Sequence, residues 1–224
     1  MSHSTLPKLD NRLYPQVWQQ QIYDSPQYLL RAMLTGIITP DPYDFTKQLQ
    51  ANNIYQEWIN ASIFGRYIQR NFAAFSGQTE DSFNMDIPVL FRNELMRHGQ
   101  YLPLEQTLFV AGSIPKNVRR ERLFTTTLNP ATVILGAQKL GQNRASLAAK
   151  DQQELLINEI VVKSEQVLGF PIRHNKRTSE RIRNEVLVLN FRDLRLVNEV
   201  FIENRVTERS NIAEMIQLRS YELR

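Results

Sequence analysis

The chain has 224 residues, enough to bury one substantial core, and its 42% hydrophobic and 22% charged content with ordinary glycine and proline usage excludes disorder and fibrous structure. It contains no cysteine, which rules out disulfides, thiolate nucleophiles and thiolate-bound zinc. The net charge is +4, and arginines gather after Lys163, at Arg173, Arg177, Arg181, Arg183, Arg192 and Arg195, as a solvated basic face or as a surface for phosphates or an acidic partner.

No run of about 18 apolar residues is present to cross a membrane. The opening MSHSTLPKLDNRLYPQ lacks a basic start followed by an apolar stretch. The expectation is a soluble protein without a classical signal peptide, leaving open delivery into a host or competitor cell by a specialised secretion machine. His3, His98 and His174 lie far apart without HExxH or HxxxH spacing, so no metal site is expected.

In chain order, a first helix starts with Ser25 as N-cap and Pro26 in the first turn, carries Leu29, Leu30, Met33 and Leu34 on one face, and stops before Gly36. A second helical region begins near Asp41 and Pro42. Its apolar residues Phe45, Leu49, Ile54, Trp58, Ile59, Ile63 and Tyr67 recur at three- and four-residue steps. From Asp86 onward, short apolar runs separated by polar turns predict strands over 87–92, 107–114, 123–128, 155–162, 186–191 and 194–202. One helix interrupts them, capped by Asn129, with Pro130 at its first position, Val133, Ile134, Ala137 and Leu140 on one face, and Gly141 as its stop. Helices and strands are segregated and do not alternate, which predicts an α+β fold: a helical N-terminal lobe over 1–80 and a core over 81–224. Neither GxGxxG nor GxxxxGK[ST] occurs, so a doubly wound nucleotide fold is disfavoured.

Three separated segments carry the functional signal: Val89-Leu90-Phe91-Arg92-Asn93, Phe124-Thr125-Thr126-Thr127-Leu128-Asn129-Pro130, and Asn184-Glu185-Val186-Leu187-Val188-Leu189. Together they resemble the signature of the toxin-like mono-ADP-ribosyltransferases of bacteria and phages. In that family an aromatic-Arg strand, a Ser-Thr-Ser strand leading into a helix, and a glutamate opening an apolar strand build one NAD⁺ cleft. The resemblance covers roughly 86–202 and implies an ADP-ribosyltransferase-like split β-sandwich core. It also implies NAD⁺ as co-substrate, no metal, and a macromolecular acceptor, first of all a protein, in the manner of an effector or toxin.

The roles it implies follow charge. Arg92 would clamp the two negative charges of the NAD⁺ pyrophosphate, as a guanidinium fork does at any physiological pH. Glu185 would steady the cation-like ribose formed when the nicotinamide bond breaks. Thr125 would bridge these two sides, with Thr126 and Thr127 supporting the turn into the helix, and Asn93 would offer backbone groups to the nicotinamide amide. Phe91 and Phe124 flank these elements as core or as lining of a nicotinamide pocket.

The sequence departs from the family pattern in three places. Arg183 stands two residues before Glu185 where Glu or Gln often orients the acceptor, Asn93 replaces a frequent glycine, and the triplet is all threonine. Glu154 is a rival for the catalytic glutamate, because Gln152-Gln153-Glu154 also precedes an apolar strand. The basic run from His174 to Arg183 admits a nucleic acid as acceptor, water in its place would make an NAD⁺ glycohydrolase, and a non-catalytic basic binding module is the reading outside this chemistry.

Overall fold

The computed structural model describes residues 3–9, 23–60, 92–93, 95–115, 118, 124–145, 154–172, 182–204 and 214–224. Three helices come first: α1 (Pro26–Leu34), α2 (Pro42–Ala51) and α3 (Asn53–Asn60). Strands β1 (Gln100–Tyr101), β2 (Thr107–Ala111) and β3 (Phe124–Thr127) precede helix α4 (Pro130–Ala145). Strands β4 (Glu154–Val162), β5 (Leu168–Pro171), β6 (Glu185–Asn190), β7 (Leu194–Asn204) and β8 (Glu214–Leu223) follow.

The helices begin where side chains satisfy their open N–H groups. Ser25 Oγ accepts from Tyr28 N at 3.2 Å at the head of α1, and Asp41 Oδ1 accepts from Tyr43 N and Asp44 N at 2.9 and 3.1 Å at the head of α2. Gly36, at φ 74°, supplies the left-handed turn that ends α1. The single predicted stripe from Asp41 is two helices, because Asn52 is extended at φ −80°, ψ 127° and its side chain caps α3 through Tyr55 N at 3.0 Å. Ile63 and Tyr67 lie outside the described residues. Among the described residues no helix is long and apolar enough to cross a membrane.

Among the described residues the strands form one mixed sheet of eight in the order β1-β5-β6-β3-β2-β4-β8-β7, whose neighbours pair antiparallel except β4 with β8, which run parallel. Buried side chains of α1, α2 and α3 share one cluster with Phe109 of β2, Phe124 of β3, Ile157 and Ile160 of β4, and Val186 and Val188 of β6. The helical lobe and the sheet are thus joined by apolar contact, and Trp58 Nε1 of α3 also ties the N-terminal segment by donating to Pro7 O at 2.7 Å. A second, smaller cluster of Leu95, Leu168, Phe170, Ile172, Leu187 and Leu189 lies around β5 and β6.

Several sequence-based expectations are corrected. Residues 92–93 and 95–98 are helical, so Arg92 does not end a strand; the rest of the run expected over 87–92 lies outside the described residues. Helix α4 continues through Gly141 to Ala145. The strand expected over 107–114 ends at Ala111, where Gly112 turns the chain at φ 76°. Strands β1, β5 and β8 are additional to those read from the sequence.

Among the described residues, the buried polar side chains include one carboxyl, that of Glu159. Glu159 of β4 is 6% exposed, opposite Phe109 in the sheet. Burial pushes its carboxyl above the ordinary glutamate range, against smaller lowering effects of a hydrogen bond from Gln27 and the charge of Arg31, both on α1. A carboxyl whose folded pKa is raised binds more protons folded than unfolded. Its contribution to stability is therefore full below the ordinary carboxylate pKa and is lost as pH rises through the raised value. Glu159→Gln should raise the urea midpoint at neutral pH and flatten its decline from mildly acidic to neutral conditions. Unfolding curves that keep the wild-type pH dependence would contradict this.

Candidate active site

The chain places Thr125 and Glu185 on neighbouring strands. In the antiparallel pair β3–β6, Thr127 lies opposite Glu185 and Thr125 opposite Leu187. Opposed residues share a face and alternate residues return to it, so Thr125, Thr127, Glu185, Leu187 and Leu189 lie on one face. Thr125 and Glu185 are diagonal neighbours there, about 7–8 Å apart along the backbone grid. Thr125 is exposed. The hydroxyls of Thr126 and Thr127 are instead tied to β6 and its approach, Thr126 Oγ1 donating to Val186 O at 2.7 Å and Thr127 Oγ1 to Arg183 O.

Arg92 reaches the same strand from the helical segment. Its Nη2 donates to Leu189 O at 2.5 Å and its Nη1 meets Met96 Sδ at 3.4 Å. Phe124, the first residue of β3, pairs with Val188, so Leu189 lies one step past the β3 ladder, and the guanidinium takes the carbonyl there. Leu189 is about 13 Å from Glu185 at the usual strand rise. The arginine and the glutamate therefore stand toward opposite ends of β6, and on the face they share Leu187 and Leu189 between them are buried in the smaller cluster. Asn93, exposed in the same helical segment, offers a helical backbone where the sequence reading expects a strand end. The strand beside β3 on its other side is β2, Thr-Leu-Phe-Val-Ala, which carries no basic residue.

Glu154 opens β4, which is separated from β3 by β2, whereas Glu185 opens the strand hydrogen-bonded to the threonine triplet. Phe124 is buried in the main cluster and meets the Phe191 ring at 6.1 Å between centroids, so it packs as core; Phe91 lies outside the described residues.

What holds Glu185 in place is the segment just before it. Asn184 is 3% exposed and adopts φ 45°, a left-handed conformation that asparagine tolerates better than most residues. Its Oδ1 accepts from Thr46 Oγ1 of α2 at 2.7 Å and from Asn129 Nδ2 at 3.1 Å, and its Nδ2 lies 3.4 Å from Tyr55 Oη of α3. Asn129, fully buried, also reaches Pro42 O, Thr46 Oγ1 and Ile182 O at 3.1, 3.2 and 3.2 Å. Its Oδ1 caps α4 through Ala131 N and Thr132 N. Sequence reasoning found Asn129 as a cap and missed Asn184; the signal was an asparagine directly ahead of a strand, where a left-handed turn aims the chain.

The carboxylate of Glu185 faces Arg183, whose Nη1 stands 3.5 Å from its Oε1, with side-chain exposures of 12% for the glutamate and 52% for the arginine. The pair joins a half-exposed guanidinium to a largely buried carboxylate. The same guanidinium repels any approaching cation by about 1 kcal/mol at 4 Å in water and more as water is excluded. Among the described residues no group of three or more His, Asp or Glu side chains gathers that would hold a metal ion.

Compared with protein-family models, with curated proteins and with solved structures, the chain matches none.

Asn129→Ala removes the cap of α4 and takes one of two donors from Ile182 O, which keeps Thr132 Oγ1, and from Asn184 Oδ1, which keeps Thr46 Oγ1. The expected loss is about 2–4 kcal/mol in urea denaturation, against about 1 kcal/mol or less for Ser25→Ala at the exposed cap of α1. Equal losses would show that the buried cluster adds nothing beyond a cap.

Proposed function

We propose that this chain is a mono-ADP-ribosyltransferase of the Arg, Ser-Thr-Ser, Glu type, built on a split β-sandwich core, which cleaves NAD⁺ and passes ADP-ribose to a macromolecule as an effector or toxin does. The observation that carries the reading is the pairing of β3 with β6. It sets an exposed Thr125 and the partly buried Glu185 on one face, with β3 running directly into the Asn129-capped helix.

The chemistry asks little more of the chain. The bond between nicotinamide and the ribose C1′ breaks with both electrons leaving on nicotinamide, and the positive charge left on the sugar is offset by the Glu185 carboxylate. Thr125 hydrogen-bonds on the same side. Arg92, anchored on Leu189 O, presents its charge to the pyrophosphate one strand length away. Among neutral acceptors water is always present, and hydrolysis of NAD⁺ is the expected background reaction.

A second reading, a basic binding module without catalysis, draws support from two observations: Arg92 comes from a helical segment, and β2 holds no basic residue. Nicotinamide release separates the two. The wild type should release nicotinamide from NAD⁺. Glu185→Ala should lower the rate by about a hundredfold or more, the scale of losing one charge-stabilising group. Arg92→Ala should act mainly through KM, and Glu154→Ala should leave the rate near wild type. Loss in Glu154→Ala with retention in Glu185→Ala would move the glutamate to β4, and no release from the wild type, with or without cell lysate, would leave the binding module.

A further inference from the structure

Helix α1 buries one face in the core and leaves another open. Leu29, Leu30, Met33 and Leu34 are buried, whereas Tyr28, Arg31, Ala32 and Thr35, spaced three and four residues apart, line a cleft of about 400 Å³. The two ends of the helix supply its end walls. Ser25, the N-cap, is extended at φ −148°, ψ 151° and carries Tyr23 and Asp24 away from the helical path. At the other end Gly36, at φ 74°, folds Ile37 back so that its N–H donates to Ala32 O at 2.9 Å. A cleft of this volume is in the range of small-molecule sites, which combine apolar walls with a few polar groups.

The apolar part of the wall stands open to water: Tyr28 is 61% exposed and Ile37 58%. With Tyr23 they offer two rings and a branched chain to whatever enters.

The charged groups of the lining are Asp24 and Arg31. Seven residues separate them, about 10 Å along a helix, so water and salt largely screen one from the other. Among the described residues the Arg31 guanidinium makes no hydrogen bond or ion pair. Its electrostatic neighbour is the Glu159 carboxyl, which burial pushes toward its uncharged form, so it offsets the guanidinium less than an open glutamate would. One turn before Arg31, Gln27 Nε2 donates to Thr107 Oγ1 of β2 at 2.7 Å and pins this side of α1 to the sheet. Tyr28 is one turn away on the open face, so a ring and a guanidinium are neighbours there.

We propose that the cleft along α1 binds a small free organic acid, an aromatic or branched apolar body carrying one carboxylate, with the acid group on Arg31 and the body among Tyr23, Tyr28 and Ile37. A guanidinium fork takes a carboxylate through two parallel hydrogen bonds, and with one cation in the lining the matching ligand carries one negative charge. Arg92, Thr125 and Glu185 do not line the cleft, so the site stands independently of the transfer reading.

Ligand-observed NMR titrations of the full chain test this with three probes: 3-phenylpropionate, its uncharged counterpart 3-phenylpropionamide, and acetate, which has the charge without the body. The phenylpropionate should bind saturably, and the amide and acetate each about tenfold more weakly or worse, the scale of one charge-assisted hydrogen bond or one buried ring. Arg31→Gln should weaken the phenylpropionate about tenfold and leave the amide unchanged. Arg31→Lys should recover most of that loss, and Tyr28→Ala should weaken acid and amide alike. Lys47→Gln, the same loss of charge on an exposed residue of α2, should bind as wild type does. Equal binding of acid and amide by the wild type overturns the proposal without recourse to any variant. So does equal weakening by Arg31→Gln and Lys47→Gln, unchanged binding in Tyr28→Ala, or no saturable binding of the phenylpropionate.

Discussion

Asn129 carries one side-chain amide with two N–H groups, and four oxygens close on it: Pro42 O, Thr46 Oγ1, Ile182 O and Asn184 Oδ1. Its own Oδ1 is spent on the first turn of α4. Three of these contacts are buried, so releasing one of them costs a hydrogen bond in the interior. Through it the start of α4, helix α2 and the approach to β6 are fixed to one another. The left-handed turn at Asn184 and the direction in which Glu185 leaves it follow from that constraint.

From this knot the sheet sets where the candidate side chains stand. The face of β3 and β6 that carries Val186 and Val188 belongs to the core shared with the helical lobe. On the other face, Leu187 and Leu189 pack with Leu95 of the helical segment and with Phe170 and Ile172. Glu185 and Thr125 lie at the polar margin of that smaller cluster, and Arg92 arrives over Leu189 because its own helical turn is anchored by Leu95, which is fully buried. A carboxylate on β6, a hydroxyl on β3 and a guanidinium from the helical segment are thereby held on regular backbone around β6. The Arg183 charge beside the carboxylate then acts on what approaches from solvent.

Local signals in the sequence carried the elements that have them. Ser25-Pro26 and Asn129-Pro130 mark their helices because capping and a fixed proline φ act within one turn, and the apolar runs of β2, β3, β4, β6 and β7 announce themselves by composition. Strand β5, Leu-Gly-Phe-Pro, was hidden by its two breakers. Both fit for tertiary reasons: a Cβ on Gly169 would sit 2.6 Å from Leu102 Cδ2, and Pro171 pairs with β6 beyond the reach of the two-residue β1. Strand β8 alternates Ile216 and Leu218 with Gln217 and Arg219, a period-two pattern that was there to be read. The helical turn at Arg92 was misread as strand because Val89-Leu90-Phe91 is β-prone, while the basic pair Arg97-His98 followed by Gly99 is a helix-end signature. For the site, the order of threonine triplet and glutamate was legible. Their adjacency is a product of strand order, which no local pattern encodes, and so is the displacement of Glu154 by β2.

The most direct test is a crystal structure of the chain with a non-hydrolysable NAD⁺ analogue. The account predicts the analogue along β6, its pyrophosphate against the Arg92 guanidinium and its nicotinamide ribose within hydrogen-bond distance of Glu185, with Thr125 alongside. An analogue bound elsewhere on the sheet, or saturating analogue with no binding at this face, would contradict it.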